Sequence, residues 1–327
     1  MNKTIRTGSK VVENLDYKCY LDAIREHWQR QEDWLKIGYA PDRYYLKDFC
    51  LFEKNGDFHL FHIAGTPGVS CCLPGNEIWF GHAKTKNFQH WETLGPCFFI
   101  DPEGWDHGHV FAPFVVEKDE TFWMFYTGCK MDNTQRIGAA ISKDLHHWER
   151  VGKNPLIGPE QYDWAFCPTI GGASCRDPHV CQFGDEFSMY YTAVTREGKA
   201  CVARAVSRDL IHWEDQGPAY TYKNLTHCES SNVQELNGNY LLFFGGHIEY
   251  WSYVVSDNPY HWQPQEPIPL GRRITAMEVV RRNDPLWLVA YFTFDSYRLY
   301  LGIIDWSMKN PMIQQVLDRT EIKIFGF

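Results

Sequence analysis

The sequence has no excess of basic residues and no long apolar run. Its net charge at pH 7 is −9 and its pI is about 5.9, which argues against a protein that binds the phosphate backbone of nucleic acids. No stretch of eighteen apolar residues is present, and the first thirty residues contain no apolar signal segment. We therefore expect a cytoplasmic protein with neither a nucleic acid nor a membrane as its partner.

Cysteine spacings typical of metal sites are also missing. The eleven cysteines are an odd number and form no C-x-x-C pair, so we predict reduced thiols. Cys167, Cys175 and Cys181 lie close to His179 in the sequence, but their spacing fits no common zinc motif. The sequence therefore predicts no metal and no cofactor.

Helical periodicity is nearly absent from the chain. The exception is YLDAIREHWQRQEDWLK at 20–36, where apolar residues such as Leu21, Ile24 and Trp28 recur on one face. We predict an N-terminal arm over 1–40 that contains this amphipathic helix, followed by one domain over 41–327. If the protein forms an oligomer, we expect the helix to supply the contact.

Aromatic residues are abundant, and they recur in a pattern. Thirteen Trp, eighteen Tyr and twenty-one Phe make up 16% of the sequence. Four segments combine a short apolar strand, a polar turn and His-Trp, and a weaker fifth copy contains Trp306. The tryptophans of the four segments are Trp91, Trp148, Trp213 and Trp262. Because they recur once in every unit, we interpret them as structural.

A second repeat lies between the copies of the first. Five segments join an apolar strand to an aromatic strand through a polar turn, at 50–65, 114–128, 180–194, 232–246 and 278–292. Asn55-Gly56 and Asn237-Gly238 supply the positive φ angles that tight hairpin turns need. Each unit then holds four strands, which predicts an all-β fold, a five-bladed β-propeller. A segment near the N-terminal helix, or IKIFGF at 322–327, is expected to complete the outer edge of the last blade.

Acidic residues stand near the start of three of the five predicted inner strands, which line the central channel of a propeller. Asp48, Asp177 and Glu229 lie eight, seven and nine residues before the glycine of their hairpin turn. The second unit has His109 and Phe111 instead, and Glu278 of the fifth unit comes two or three residues later. A lone Asp-Pro is usually only a turn. Three matched acids near one axis favour a functional site, because burying such charges is costly.

These segments resemble motifs of the five-bladed glycoside hydrolases of families 32, 43, 62 and 68, over roughly residues 40–305. CRDPHV at 175–180 resembles the Arg-Asp-Pro motif of families 32 and 68. HCESSNV at 227–233 resembles the Glu-Cys motif of family 32 and the Glu-Gly-Pro segment of family 43. HVFAPFVV at 109–116 is similar to the Trp-Ala-Pro blade of family 43.

The resemblance implies a role for each of the three acids. Asp48 matches the nucleophile of family 32 or the water-activating base of family 43, and Asp177 matches the aspartate that binds sugar hydroxyls. Glu229 matches the general acid, and Arg176 matches the arginine beside the middle aspartate. We expect burial to raise the pKa of Glu229 so that it can donate a proton, while Asp48 stays ionised.

The sequence also departs from the family 32 pattern. KDFCL replaces Asn-Asp-Pro-Asn-Gly around Asp48, Cys228 precedes Glu229 instead of following it, and no sandwich segment follows the propeller repeats. These departures leave open the subfamily, the sugar and the choice between retention and inversion.

Several further residues are candidates for binding sugar. Trp105, Trp164 and Phe166 fall in predicted loops, where an aromatic ring is available to stack on a sugar. His109, Phe111, Arg176 and His247 are candidates for substrate contacts. For Asp106, His107 and His109 a metal site is a second interpretation, and a hydrogen-bonding role is the favoured one.

The resulting prediction is a glycosidase that cleaves fructose- or arabinose-type furanosides or small oligosaccharides, without a metal. One alternative is a glycoside phosphorylase, for which Arg272 and Arg273 would help to hold phosphate. A second is a propeller that binds carbohydrate without catalysis, since fold does not fix function.

Overall fold

The computed structural model describes residues 37–167, 174–223, 225, 228–247 and 250–327. The predicted helix at 20–36 lies outside these residues, as does most of the predicted arm. Twenty strands form five antiparallel sheets of four strands each, with every sheet built from consecutive strands. The predicted all-β, five-bladed propeller is therefore confirmed. Within the described ranges, no helix is long and apolar enough to cross a membrane.

The blades follow one another along the chain. Blade one comprises β1 (Tyr45–Lys54), β2 (Asp57–Gly65), β3 (Trp79–Thr85) and β4 (Trp91–Phe99). Blade two comprises β5 (His109–Lys118), β6 (Thr121–Cys129), β7 (Gln135–Ser142) and β8 (Glu149–Arg150). Blade three comprises β9 (Cys175–Phe183), β10 (Glu186–Val194), β11 (Ala200–Ser207) and β12 (Glu214–Thr221).

Blades four and five have the same plan. Blade four comprises β13 (Glu229–Leu236), β14 (Asn239–His247), β15 (Tyr250–Ser256) and β16 (Ile268–Arg272). Blade five comprises β17 (Thr275–Asn283), β18 (Leu286–Phe292), β19 (Leu299–Asp305) and β20 (Gln314–Gln315). The first strand of each blade contacts the first strands of the next and the previous blade, so β1, β5, β9, β13 and β17 form a closed inner ring.

The inner hairpins turn where the sequence predicts. Asn55 and Gly56 have φ angles of 53° and 81°, and Asn237 and Gly238 have 54° and 78°. Asn and Gly tolerate this left-handed region, whose twist matches that of the paired strands. All five inner strands consequently begin at one face of the ring, which we call the upper face, and turn at the opposite, lower face.

The His-Trp repeat forms the turns between the third and fourth strands, at the lower face. In blade two, the Ser142 hydroxyl accepts from the N–H groups of Asp144 and Leu145, and Asp144 accepts from those of His146 and His147. Ser207 and Asp209 make the same contacts in blade three. The repeated tryptophans pack on the blade cores, and Trp262 is fully buried. The repeat therefore holds turns on the face remote from the strand starts.

Blade five is joined to blade one from both ends of the described chain. Tyr39 and Leu299 exchange two backbone hydrogen bonds, and Leu46 N–H donates to the Tyr297 carbonyl at 2.9 Å. The C-terminal segment does not form the outer strand, which is β20. It forms a 3-10 helix (Arg319–Phe325) that buries Ile322 and Phe325 in the core cluster shared by the two blades. Ile322 and Ile324 flank Lys323 as they would in a strand, but Asp318 and Glu321 form a capping box that begins a helix.

Ile322→Ala is expected to destabilise the propeller by about 2 to 5 kcal/mol, because a fully buried side chain between blades one and five leaves a cavity. Ile324→Ala in the same helix is the matched control, since Ile324 is 50% exposed, and should change stability by less than about 0.5 kcal/mol. Urea denaturation of both variants measures the difference. Equal effects of the two substitutions would show that the helix does not close the ring.

Candidate active site

Each of the five inner strands has a bulge near its upper end. The pairing register shifts there in every blade, and one residue at each bulge has a positive φ angle. These residues are Asp48 (22°), Ala112 (46°), Asp177 (58°), Ser230 (50°) and Ala276 (48°). All five line one small cavity on the propeller axis, so the bulges bring Asp48 and Asp177 to the same place.

Glu229 is not the structural equivalent of the two aspartates. The bulge residue of blade four is Ser230, so Glu229 corresponds to Lys47 and Arg176, which directly precede Asp48 and Asp177. Sequence spacing placed Glu229 within a residue of the correct position but could not locate the bulge. The Glu229 side chain is 36% exposed, whereas Asp177 is 7% exposed, which places Glu229 nearer the solvent.

Asp177 is firmly anchored through one carboxylate oxygen. Its Oδ2 accepts from the Thr192 hydroxyl at 3.0 Å and from the Ser230 N–H at 3.1 Å. Its own N–H donates to the Thr127 hydroxyl at 2.9 Å. Burial and the nearby Glu229 raise the pKa of Asp177, while Arg176 and the two hydrogen bonds to Oδ2 lower it. These contacts fix the Asp177 side chain through Oδ2.

Arg176 links the aspartate to the glutamate. Its Nη2 donates to Glu229 Oε1 at 2.6 Å, and its Nε lies 3.5 Å from Asp177 Oδ2. The sequence-based expectation assigned Arg176 to Asp177 alone. Because the guanidinium presents several donors in one plane, a single side chain sets the relative position of two carboxylates.

The carboxylate of Asp48 has no hydrogen bond or ion pair to any residue that the structure describes. Burial raises its pKa to about 7, with Asp177, Glu229 and Glu77 acting in the same direction and Lys47 opposing them. This direction runs against the expectation that Asp48 stays ionised. Sequence reasoning did not allow for a carboxyl group enclosed by other acids on the axis.

Lys47 belongs to a charged group that the repeats did not reveal. Its Nζ lies 2.8 Å from Glu77 Oε1, which also accepts from the Tyr45 hydroxyl at 2.7 Å. Asn76 donates to Tyr45 at 3.0 Å and so holds the phenol in place. Glu77 lies in the β2–β3 loop, outside both repeats, and only the position of Lys47 directly before Asp48 was a signal for its role.

His109 and Phe111 lie beside this charged group. Both are buried, their rings stack at 5.4 Å, and Lys47 Nζ lies 5.3 Å from the centre of the Phe111 ring. His109 Nδ1 contacts the Asn76 carbonyl at 2.9 Å. Their observed contacts thus support the lysine and the loop, and a direct contact with sugar remains a prediction for each.

Trp105 packs against its own blade. Its indole lies so close to Gly128 and Gly138 that a Cβ at either position would collide with the ring, and its Nε1 is buried. The ring also lies 5.7 Å from that of Tyr126. These are packing contacts within blade two, and a contact between the Trp105 ring and a sugar remains a prediction. The two glycines on adjacent strands were the signal for this packing.

Trp164 and Phe166 lie on the upper face, where their loop pairs with the end of β10. The Trp164 indole donates to Asp215 at 2.7 Å and stacks on Tyr162 at 6.1 Å, so its polar atom is already used. Phe166 is 44% exposed and stays a candidate platform for sugar. The side chain of His247 is outside the described part of the structure.

The residues of the possible metal site have separate partners. Asp106 is fully buried and accepts from the Tyr126 hydroxyl at 2.9 Å and from Arg150 Nη2 at 2.7 Å. His107 Nδ1 contacts the Gly104 carbonyl at 3.0 Å. Among the described residues, no group of three or more His, Cys, Asp or Glu has a geometry suited to a metal ion. Asp106 therefore serves as a structural ion pair within blade two.

Asp48→Asn should stabilise the protein at pH 8 by about 2 to 4 kcal/mol, because it removes a buried charge that the fold disfavours. An aspartate whose folded-state pKa is raised loses folding stability as pH rises from about 4 to about 7. Asparagine does not titrate, so the gain should shrink as the pH falls towards 4. Denaturation at pH 5 and pH 8 checks this. A gain that does not depend on pH, or a loss at both values, would contradict the raised pKa of Asp48.

Solved structures from glycoside hydrolase families 32 and 43 share this architecture. The chain superposes on the family 32 β-fructofuranosidase of Bombyx mori with a TM-score of 0.67 at 15% identity, covering 91% of this chain and 70% of that one. It also superposes on a thermostable family 43 glycoside hydrolase with a TM-score of 0.62 at 15% identity, covering 86% and 96%. These likenesses concern the fold.

Sequence relatives point to one of the two families. The chain is 26% identical to sucrose-6-phosphate hydrolase from Vibrio alginolyticus, over 86% of this chain and 55% of that protein. It is 28% identical to an insoluble β-fructofuranosidase from Arabidopsis thaliana, over 57% of this chain and 29% of that protein. The aligned regions thus span about half of the first relative and under a third of the second. The model of the glycosyl hydrolases family 32 N-terminal domain matches residues 39–203, half of the chain. The chain therefore belongs to glycosyl hydrolase family 32.

Proposed function

We propose that the protein hydrolyses fructose-type furanosidic bonds in the upper mouth of its propeller channel. The observation that carries this proposal is the contrast between the two axial aspartates. Asp48 has no partner among the described residues and faces the cavity, while Asp177 is fixed through Oδ2. Glu229 lies above them and is held by Arg176. Asp48 and Glu229 can supply the pair of carboxyl groups that glycoside hydrolysis needs, and Asp177 adds a third, anchored carboxylate.

We propose a double displacement with retention. Asp48 attacks the anomeric carbon and forms a glycosyl ester, while the bond to the leaving oxygen breaks and that oxygen takes the proton of Glu229. Glu229 then accepts a proton from water, whose oxygen attacks the anomeric carbon and displaces Asp48 as a carboxylate. With Arg176 on Oε1, Oε2 of Glu229 is the oxygen that carries the proton.

Asp177 stabilises the charge that develops on the sugar. Because Asp177 is fixed through Oδ2, its Oδ1 can accept a hydrogen bond from a sugar hydroxyl. Its negative charge also offsets the positive charge of the oxocarbenium-like transition state. Phe166 is our candidate for apolar contact with the far side of the substrate. The type of sugar follows from the fructose-cleaving relatives, and the aglycone is unassigned.

The phosphorylase alternative has less support. It requires free cations near the channel, yet the Arg273 side chain is 63% exposed and pairs with Asp295 at 2.9 Å. We also propose that the protein acts in the cytoplasm. All cysteines among the described residues are free thiols, including the exposed Cys71 and Cys167, as a reducing compartment would keep them.

Asp48→Asn and Glu229→Gln should each lower turnover of sucrose or a nitrophenyl fructofuranoside by about 1,000-fold or more, since each removes a group that the chemistry uses directly. Asp185→Asn and Glu214→Gln, both exposed in blade three, are the matched controls and should keep normal rates. NMR of the first-formed product reports the anomer. Near-normal rates in either site variant would refute the assignment, and turnover that requires inorganic phosphate would favour the phosphorylase.

The rate should fall as pH drops through about 7, because Asp48 must be ionised to attack and burial raises its pKa to about 7. Lys47→Met removes the cation that lowers this pKa, so the acidic limb of kcat/KM should move to higher pH. The pH–rate profiles of the two proteins test this. An acidic limb that stays in place or moves to lower pH in Lys47→Met would contradict the role of Asp48.

A further inference from the structure

The small cavity on the propeller axis, here called the axial cavity, contains polar groups that the proposed reaction does not use. Its volume is about 20 Å³, and besides Asp48 and Asp177 it is lined by His179, Ser231 and Glu278. His179 follows Asp177 by two residues on β9, so it lies deeper along the axis than the aspartate. The three unused side chains form the floor of the space into which the aspartates project.

Two of these side chains are buried without a hydrogen-bond partner in the part of the chain that the structure describes. His179 is 6% exposed and has no partner on either ring nitrogen, and Ser231 is 3% exposed with an unpartnered hydroxyl. The backbone of Val233 is near enough to favour a charged ring, but no bond of hydrogen-bond geometry forms. Leaving a buried polar group unpaired costs about 1 to 3 kcal/mol, and native structures pair such groups with protein or water.

The third side chain, Glu278, is half-buried and has one hydrogen-bond partner. Burial alone raises its pKa to about 8, so it is mostly a neutral carboxylic acid at pH 7. Its Oε2 accepts from Asn232 at 3.3 Å, and Asn232 in turn accepts from Gln234 at 2.8 Å. Burial also lowers the pKa of His179 to about 3, so the imidazole is neutral and has one N–H donor. The floor therefore offers neutral groups that both donate and accept.

The size and the chemistry of the axial cavity fit one small polar guest. A site needs roughly 10 to 15 Å³ and two to four polar partners to hold a water molecule. A cation would prefer acceptors alone, whereas His179, Ser231 and Glu278 each carry a proton to donate. Water can accept from the floor and donate to a carboxylate above it.

We propose that the axial cavity binds one internal water molecule through His179, Ser231 and Glu278, and that this water donates a hydrogen bond to the carboxylate pair above it. His179, Ser231 and Glu278 then act as positioning residues, because they reach the reacting groups only through the water. The catalytic part of this inference rests on the proposed function, and the water site itself does not.

The water should help to keep Asp48 ionised, since a donor to a carboxylate favours its charged form. Charged and titratable groups face Asp48 from several elements. They are Lys47 on its own strand, Glu77 in the β2–β3 loop, Arg176, Asp177 and His179 on β9, Glu229 on β13, and Glu278 on β17. Most of these groups lie near the upper face. On the floor side of the axial cavity, Asp48 faces only the neutral donors His179, Ser231 and Glu278.

The first test is a high-resolution crystal structure of the protein. A density peak in the axial cavity, about 2.6 to 3.2 Å from His179 and Ser231, supports the proposal. An empty cavity overturns it. A peak with contacts of about 2.0 to 2.5 Å that disappears after chelation would identify a cation and would also overturn it. None of these outcomes depends on activity.

The second test compares Glu278→Leu with Glu278→Gln, two substitutions of similar size of which only glutamine keeps polar atoms. Glu278→Leu should abolish the density and raise the pKa of Asp48, measured by carboxyl ¹³C NMR, by about one unit, and Glu278→Gln should shift it by less than half as much. Equal shifts in the two variants would overturn the inference, provided that both melt as folded proteins. If NMR shows the shift but no fructofuranoside is cleaved, the proposed function fails and the water site stands.

Discussion

The positive φ angle at the bulge of each inner strand is the constraint on which the site depends. Side chains alternate along a regular strand, and the bulge interrupts this alternation at the residue of each blade that lines the axial cavity. The five bulge residues are Asp, Ala, Asp, Ser and Ala, all short and none β-branched. A non-glycine residue in this region costs about 1 to 3 kcal/mol, and the side chains of Asp48 and Asp177 give a functional reason to bear that cost. Ala112 and Ala276 leave the narrow axis open for them.

Charge at the mouth of the channel is balanced unequally. Two cations, Lys47 and Arg176, lie among the four carboxylates of Asp48, Glu77, Asp177 and Glu229. Lys47 pairs with Glu77, and Arg176 contacts both Asp177 and Glu229. Asp48 is the acid without an ion pair of its own among the described residues, and its raised pKa follows from that isolation. An excess of buried negative charge destabilises the empty site. In the proposed reaction, the same excess of negative charge stabilises the positive charge that develops on the sugar in the transition state.

Sequence reasoning reached the propeller because both repeats have local physical signals. Residues that are neighbours in the sequence determine the Asn-Gly turns, the alternating strands and the His-Trp turns with their hydroxyl caps. The number of repeats therefore gives the number of blades. Asp48, Asp177 and Glu229 could be found by aligning those units. Three features could not be predicted: the position of Glu229 one residue before the bulge, the hydrogen bond from Arg176 to Glu229, and the ion pair between Lys47 and Glu77. They depend on contacts between blades or loops, which no local sequence pattern encodes. The C-terminal helix was missed because its capping box, Asp318 and Glu321, precedes the apolar segment 322–327 that was interpreted as an edge.

Trp105 and Phe166 differ in how tightly the fold packs their rings. An aromatic ring in a loop is a reasonable platform for sugar, and exposure alone would not exclude it. Gly128 and Gly138 lie on adjacent strands and leave a recess that the ring of Trp105 fills. Phe166 is 44% exposed, on a loop that pairs with the end of β10. An aromatic ring that the fold does not use for packing is the better candidate for a ligand contact, so we rank Phe166 before Trp105.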